Sequence, residues 1–520
     1  MSINDRRSFL KHASVLGAAG LTTPWALNLA SMGVASAQSS STTDYKALVC
    51  IFLGGGNDAH NTVVANDEAS WYYYNTARDP NAAVVANGGT PVAGAVSISL
   101  KRSELLPITV KDAGGFNAER RFKVFALHPQ LKRIRDMYAA GKAAIIANVG
   151  PLITPTNKID LYDLNFPVPV SLMSHNDQQS MWQSFGAEGT VAGWGGLMMD
   201  SLMSRNTVST FSSIGINSGP VWLSGKQVIP YQLSTSGLSR MAGEGATFGS
   251  AAVYQAIRKI AATPTEATGT LAQDYTKTVQ RALSVEGTLL SALPSATVAP
   301  WGTPGSATPA ADPLLKYTDP NTGLSTLNPL AQQLQLVARM IAARDASGVG
   351  AKRQVFMVTL NGFDNHDSLL TLHGDLMAKL DHGVAYFYDI LSKMPGGQDL
   401  RSNVTSFTAS DFGRALNNNG DGTDHGWGGH HFVFGGSVKG GDMYGRFPDF
   451  SPFDQGSYFS AHLLTNGVLL PSQSVDQVVY TLGKWMDVPE SALTGSGGTA
   501  GIAPNISNFD VSTRNLGFMA

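Results

Sequence analysis

The sequence predicts an α/β fold, a three-layer sandwich with a mostly parallel sheet. Two observations carry this. Apolar runs such as "ALVCIFL", "AAIIANV" and "RQVFMVTL" end in glycines or polar clusters, the pattern of a buried parallel strand feeding a loop. Longer segments of helical spacing lie between them, and strands alternating with helices build a sheet covered on both faces. The alternation breaks at about 235–350, where helices follow one another. That break predicts a mainly helical insertion within a domain spanning 38–520.

The first segment stands apart. It carries Arg6-Arg7, a modestly apolar stretch broken by Thr22-Thr23-Pro24, and the small-residue pattern Ala35-Ser36-Ala37. This reads as a twin-arginine signal peptide over 1–37, which sends a folded protein to the periplasm or beyond. The apolar stretch is too short to anchor stably in a bilayer, and no later run is long enough to span one. Export in the folded state favours a protein loaded with metal or cofactor before transport.

Next, "YKALVCIFLGGGNDAHN" reads as a strand and its loop. "HPQLKRIRDMYAAGKAAIIANVG" reads as a helix closed near Gly141, then a second buried strand. "SHNDQQSMWQSF" opens a helix capped by Ser174 or Asn176. "WGGLMMDSLMS" is a further helix, and "STFSSIGIN" and "PVWLSGKQVI" have the look of strands. Inside the insertion, "AAVYQAIRKI" and "LAQDYTKTVQRALSVEGTLLSAL" are helical, and the Pro-rich "PSATVAPWGTPGSATPAADP" is a loop. "LAQQLQLVARMIAAR" is an amphipathic helix. The alternation then resumes, with a strand into "NGFDNHD", a long helix from "LLTLHGD", a strand into "SDFGR", a loop, the strand "HHFVFGG" and a last helix "SVDQVVYTLGKWM".

Composition narrows the function classes. The 520 residues carry a formal charge of −2 and no basic run, so nucleic acid is not an expected partner. Cys50 is the only cysteine, which rules out an internal disulfide and a thiolate metal site. It is expected to pack as a small core hydrophobe.

Four polar clusters sit just after expected strands or at a helix start: Asn57-Asp58 with His60, Ser174 through Asp177, Asp364 through Asp367, and Asp411 followed by Asp424-His425. Loops after the ends of parallel strands share one edge of the sheet, where ligands bind. Aspartate and histidine are suitable ligands for zinc or manganese when thiolates are absent. Each cluster also has a structural reading: Asp58 as a cap, Asp411 as a clamp on Arg414. Asp364 and His366, two apart, point the same way if extended. Of His430 and His431, neighbours on a strand, at most one faces the site. His128, His373 and His382 read as structural.

These motifs, in this order, together with "LHPQL", "GWGGLMMD" and "FGGSVKGG", resemble the exported bacterial family called domain of unknown function 1501. That family looks like a branch of the alkaline phosphatase and sulfatase superfamily. The resemblance implies a metal site that hydrolyses phosphate or sulfate esters. It implies metal ligation by Asp58, Asp364, His366, Asp411 and His425, with Asp424 behind His425. Ser174 would be the nucleophile, His175 would stand beside it or face the ion, and Arg414 would hold ester oxygens. Three departures stand out: Phe412 follows Asp411 where the superfamily often has histidine, Asp364 and His366 are closely spaced, and the sulfatase Cys-x-Pro-x-Arg motif is absent. One divalent ion (zinc, manganese or calcium) is then expected, or two if His175 or Asp424 completes a pair. The expected substrate is an anionic ester, small or polymeric. The rival expectation is a non-catalytic exported binding or assembly protein, its partner co-exported.

Overall fold

The computed structural model describes residues 45–111, 124–235, 249–263, 269–454 and 457–520. The expected signal peptide over 1–37 lies outside them. Among the described residues nine strands form the main sheet: β1 (Lys46–Gly54), β2 (Ala143–Gly150), β3 (Ser213–Ile216), β4 (Tyr231–Leu233), β5 (Arg353–Asn361), β6 (Val404–Ser410), β7 (Gly429–Phe434), β8 (Met443–Tyr444) and β9 (Gln473–Ser474). Their order is β8-β2-β7-β6-β1-β5-β3-β4, and β9 also pairs with β2. Only β7 runs antiparallel to its neighbours.

The alternation of β1 explains the layers. Ala47, Val49, Ile51 and Leu53 enter one apolar core, while Leu48, Cys50 and Phe52 enter another on the opposite face. Buried on both faces, the strand is apolar throughout rather than alternating. The helices that matter below are α1 (Ala59–Thr62), α2 (Glu68–Arg78), α3 (Lys132–Ala139), α4 (His175–Ser184), α5 (Trp194–Leu202), α6 (Ala251–Ala262), α7 (Thr270–Ala292), α8 (Pro329–Ala342), α9 (Leu369–Leu391) and α10 (Val475–Trp485). Side chains of α3, α8 and α9 fill the first core, and those of α4, α5 and α10 fill the second. The result is helix, sheet, helix, as the sequence predicts. None of the described helices is long and apolar enough to cross a membrane.

One expected strand is absent. "PVWLSGKQVI" forms a short 3-10 turn, Val221–Leu223, followed by irregular chain. Its apolar residues cover helix α5 instead of joining the sheet: the Trp222 ring packs edge-on to Trp194 at 5.0 Å. Tertiary packing of one large aromatic outweighs local strand preference here.

Helix α10 carries a buried acid. Asp476 is fully buried in its first turn and accepts from the backbone N–H of Asn505 at 2.8 Å. Burial pushes its carboxyl up to about 6, offset in part by the hydrogen bonds from Asn505 and Ser474. A folded pKa above the unfolded value means stability present at low pH and lost as pH rises through the folded value. We expect the stability of Asp476→Asn relative to the native chain to rise between pH 4 and pH 6, by about 3 kcal/mol, and then level off. Urea unfolding of both proteins across that range checks it.

Candidate metal centre

Five chain ends meet at one edge of the sheet. β1, β5 and β6 are adjacent and parallel, and their C-terminal ends lead to Gly55, Asp364 and Asp411. Because β7 is antiparallel, its start lies at that same edge, just after His425. β2 also ends there, since Val149 faces Gly429, and the chain beyond it leads to α4 and His175. The topology therefore gathers residues from widely separated stretches of sequence.

Close backbone approaches make the edge tight. Gly55 has φ +116°, and a Cβ there would lie 2.5 Å from the backbone nitrogen of Asp364. A Cβ on Gly426 would lie 2.4 Å from the Gly413 carbonyl. Only glycine lets these loops come so near to one another.

Asp364 Oδ1 is the centre of the cluster. It lies 3.4 Å from His175 Nε2, 3.1 Å from His366 Nε2 and 3.4 Å from His425 Nε2. His366 Nε2 and His425 Nε2 are 2.9 Å apart. Ligand atoms of His175, Asp364 and His425 all lie within 4.8 Å of one another. The rings of His175 and His425 meet edge-on at 4.5 Å, and both pack against Phe412 at 4.7 Å.

The partners behind the histidines assign their protons. His175 Nδ1 donates to Asp411 Oδ2 at 2.8 Å, and His425 Nδ1 donates to the Met173 carbonyl at 2.8 Å. Each ring therefore turns an Nε2 lone pair toward Asp364. The Nε2 of His175 is buried and has no hydrogen-bond partner. Two lone pairs converge on a carboxylate that already accepts from Arg414 at 2.7 Å, and among the three rings at most His366 has a proton to offer. Such a set repels itself unless a cation or added protons intervene.

The electrostatics favour the ligand forms. For Asp364, burial works upward but is outweighed by the hydrogen bond and charge of Arg414, so its carboxyl sits below the usual range. Burial lowers the pKa of His425, against the Met173 carbonyl, which works upward, so the neutral ring is favoured. Asp411 is raised by burial, against the stabilising His175 and Gly55 N–H. Asp411→Asn is expected to weaken metal retention about 10- to 100-fold by changing the proton on His175. Competition against a chelator of known affinity measures it, with the melting temperature as the folding control.

The other candidates lie differently. Asp58 is not brought into the cluster: it is buried, and both its oxygens bind Arg78 of α2, at 2.5 and 2.8 Å. Asp424 is on the surface, accepting from Asn419 and Asn466 at 2.8 Å each. The acceptor behind His425 is thus Met173, not Asp424. Asp411 stands behind His175, with Oδ1 buried and unpartnered. Arg414 is fully buried and bonds Asp364 at 2.7 Å, Gly55 O at 3.2 Å and Thr423, so its donors serve the protein. Ser174 is the N-cap of α4, and its hydroxyl donates to Asp177 Oδ2 at 3.0 Å. His430 and His431 are both buried, against Phe447 and Trp182 respectively, and neither joins the cluster. His128, His373 and His382 are buried as well. The Met173 carbonyl and Arg78 had no signal in the sequence. A backbone acceptor carries no residue signature, and Arg78 reads there as an ordinary helix-end charge.

The chain matches the family described as "Protein of unknown function (DUF1501)" over residues 45–494. No curated protein matches it. Among solved structures it is similar to "Ps i-CgsB in complex with k-i-k-neocarrahexaose", with TM-score 0.29 and 10% identity over 87% of this chain and 74% of that one. It is also similar to a mutant of alkaline phosphatase PafA, with TM-score 0.23 and 10% identity over 72% of this chain and 64% of that one. The architecture and the cluster described above rest on the chain's own geometry.

Proposed function

We propose that this chain, which belongs to the DUF1501 family, is an exported metal-dependent hydrolase of phosphate or sulfate esters, its ion held by His175, Asp364, His366 and His425. The observation that carries this reading is the convergence of imidazole lone pairs on Asp364, with the His175 Nε2 buried and unpartnered. Neutral imidazoles with one carboxylate suit zinc or manganese better than calcium, which prefers oxygen ligands. When bound, the ion supplies Lewis acidity and a counter-charge for an anionic ester.

The protein residues have separate tasks. Asp411 and the Met173 carbonyl hold His175 and His425 in their ligand tautomers. Arg414 keeps Asp364 ionised. Helix α4 begins at His175, so its N-terminal dipole favours an anion beside the cluster. Asp177, hydrogen-bonded to the Ser174 hydroxyl, is the base that would take its proton.

One observation favours a second reading, a binding protein without turnover. The donors of Arg414 are spent within the protein, so it offers no guanidinium to ester oxygens. A panel of aryl phosphates and aryl sulfates decides between the two. We expect metal-dependent turnover, reduced at least about 100-fold in Ser174→Ala with metal content intact. A metal-replete protein that cleaves no ester in the panel would instead support the binding protein.

A further inference from the structure

We propose that a cavity between α7 and α8, beside edge strand β4, binds a small organic acid: a carboxylate on a short hydrocarbon chain. The cavity measures about 190 Å³ and is lined by Leu233, Leu289, Leu293 and Leu336, with Arg339, Gln332 and Thr235 among its polar residues. None of these residues belongs to the metal centre.

Arg339 is the observation that calls for an anion. Its Nε donates to the Pro294 carbonyl at 2.7 Å. Its two terminal nitrogens have no partner, and no carboxylate pairs with it, among the described residues. Arg339 is half-buried, whereas the fully buried guanidinium groups are each paired: Arg78 with Asp58 at 2.5 Å, Arg353 with Asp487 at 2.6 Å and Arg414 with Asp364 at 2.7 Å. A half-buried guanidinium with both terminal nitrogens free presents a fork of donors, and a bidentate carboxylate is the partner its geometry suits. Partial burial already disfavours its charged form, as expected of an unpaired site.

The walls and the volume define the rest of the ligand. The four leucines offer an apolar wall for a hydrocarbon chain. The space exceeds the roughly 150 Å³ of an apolar cavity that takes one benzene, so it suits the hydrocarbon chain of a short fatty acid.

Hexanoate is the probe, titrated calorimetrically into the metal-replete protein, with hexanol and inorganic phosphate as controls. We expect one hexanoate per chain, a raised melting temperature, and at least about tenfold weaker binding of either control. Arg339→Gln should weaken hexanoate about tenfold or more, with hexanol binding and metal content unchanged. Ala296→Leu narrows the cavity from another wall, leaves Arg339 in place, and should also remove binding. It serves if the first variant fails to fold. No hexanoate binding, binding no tighter than hexanol, or binding that both variants leave intact would overturn the proposal.

Discussion

His425→Ala and Asp364→Asn are expected to lose their ion, with metal content falling from about one equivalent to below a tenth after dialysis. Both residues contribute to one cluster: His425 Nε2 lies 3.4 Å from Asp364 Oδ1. Outer-shell changes typically cost 10- to 100-fold in affinity, and loss of a ligand costs more, so we expect at least about 100-fold. The two variants differ in their effect on the fold. His425→Ala removes a partly exposed ring. Asp364→Asn takes the charge from the carboxylate that pairs with the fully buried Arg414, so a lower melting temperature accompanies the metal loss. Elemental analysis of protein prepared without chelator checks both. Retained metal in either variant would remove that residue from the ligand set.

Asp58→Ala is expected to destabilise the chain by about 3–5 kcal/mol while leaving the metal content of the folded protein unchanged. The reason is Arg78, fully buried, whose guanidinium would be left without its carboxylate. Burial alone would raise the Asp58 pKa, but the charge and hydrogen bonds of Arg78 hold it down, at about 2. A depressed folded pKa contributes stability above the unfolded value and loses it as pH falls through the folded one. The native chain should therefore lose this contribution between about pH 4 and pH 2, and Asp58→Ala should show a flatter profile there. Chemical unfolding across that range, with metal analysis at neutral pH, separates a structural aspartate from a ligand.

These two aspartates show what the sequence could reveal. Asp58 and Asp364 both follow apolar strands and glycines, and by local pattern they are equivalent. Their fates differ because Arg78, twenty positions beyond Asp58, reaches back from α2. A long-range pair of that kind has no local signature. Asp364 and His366 were read as a pair from their spacing on extended chain, but they meet on a tight turn in which His366 N–H donates to the Asp364 carbonyl at 3.2 Å. Asp424 and His425 were misleading as a pair. As neighbours they point apart, the acid to Asn419 and Asn466, the histidine to Asp364 and Met173.

The fold was more legible than the site. Strands buried on both faces leave continuous apolar runs, and β1, β2 and β5 are read directly from theirs. The antiparallel direction of β7 was not legible, because an apolar run has no direction. That direction matters for the site, since it brings His425 to the edge where β1, β5 and β6 end. The apolar run at Trp222 was misread as a strand because its large ring finds helix α5 instead.

The most direct test of the metal centre is anomalous diffraction from crystals of the native protein prepared without chelator. A peak is expected about 2.0–2.2 Å from the Nε2 atoms of His175, His366 and His425 and from an oxygen of Asp364. No peak at these residues, or a peak at Asp58, would contradict a metal centre at this cluster.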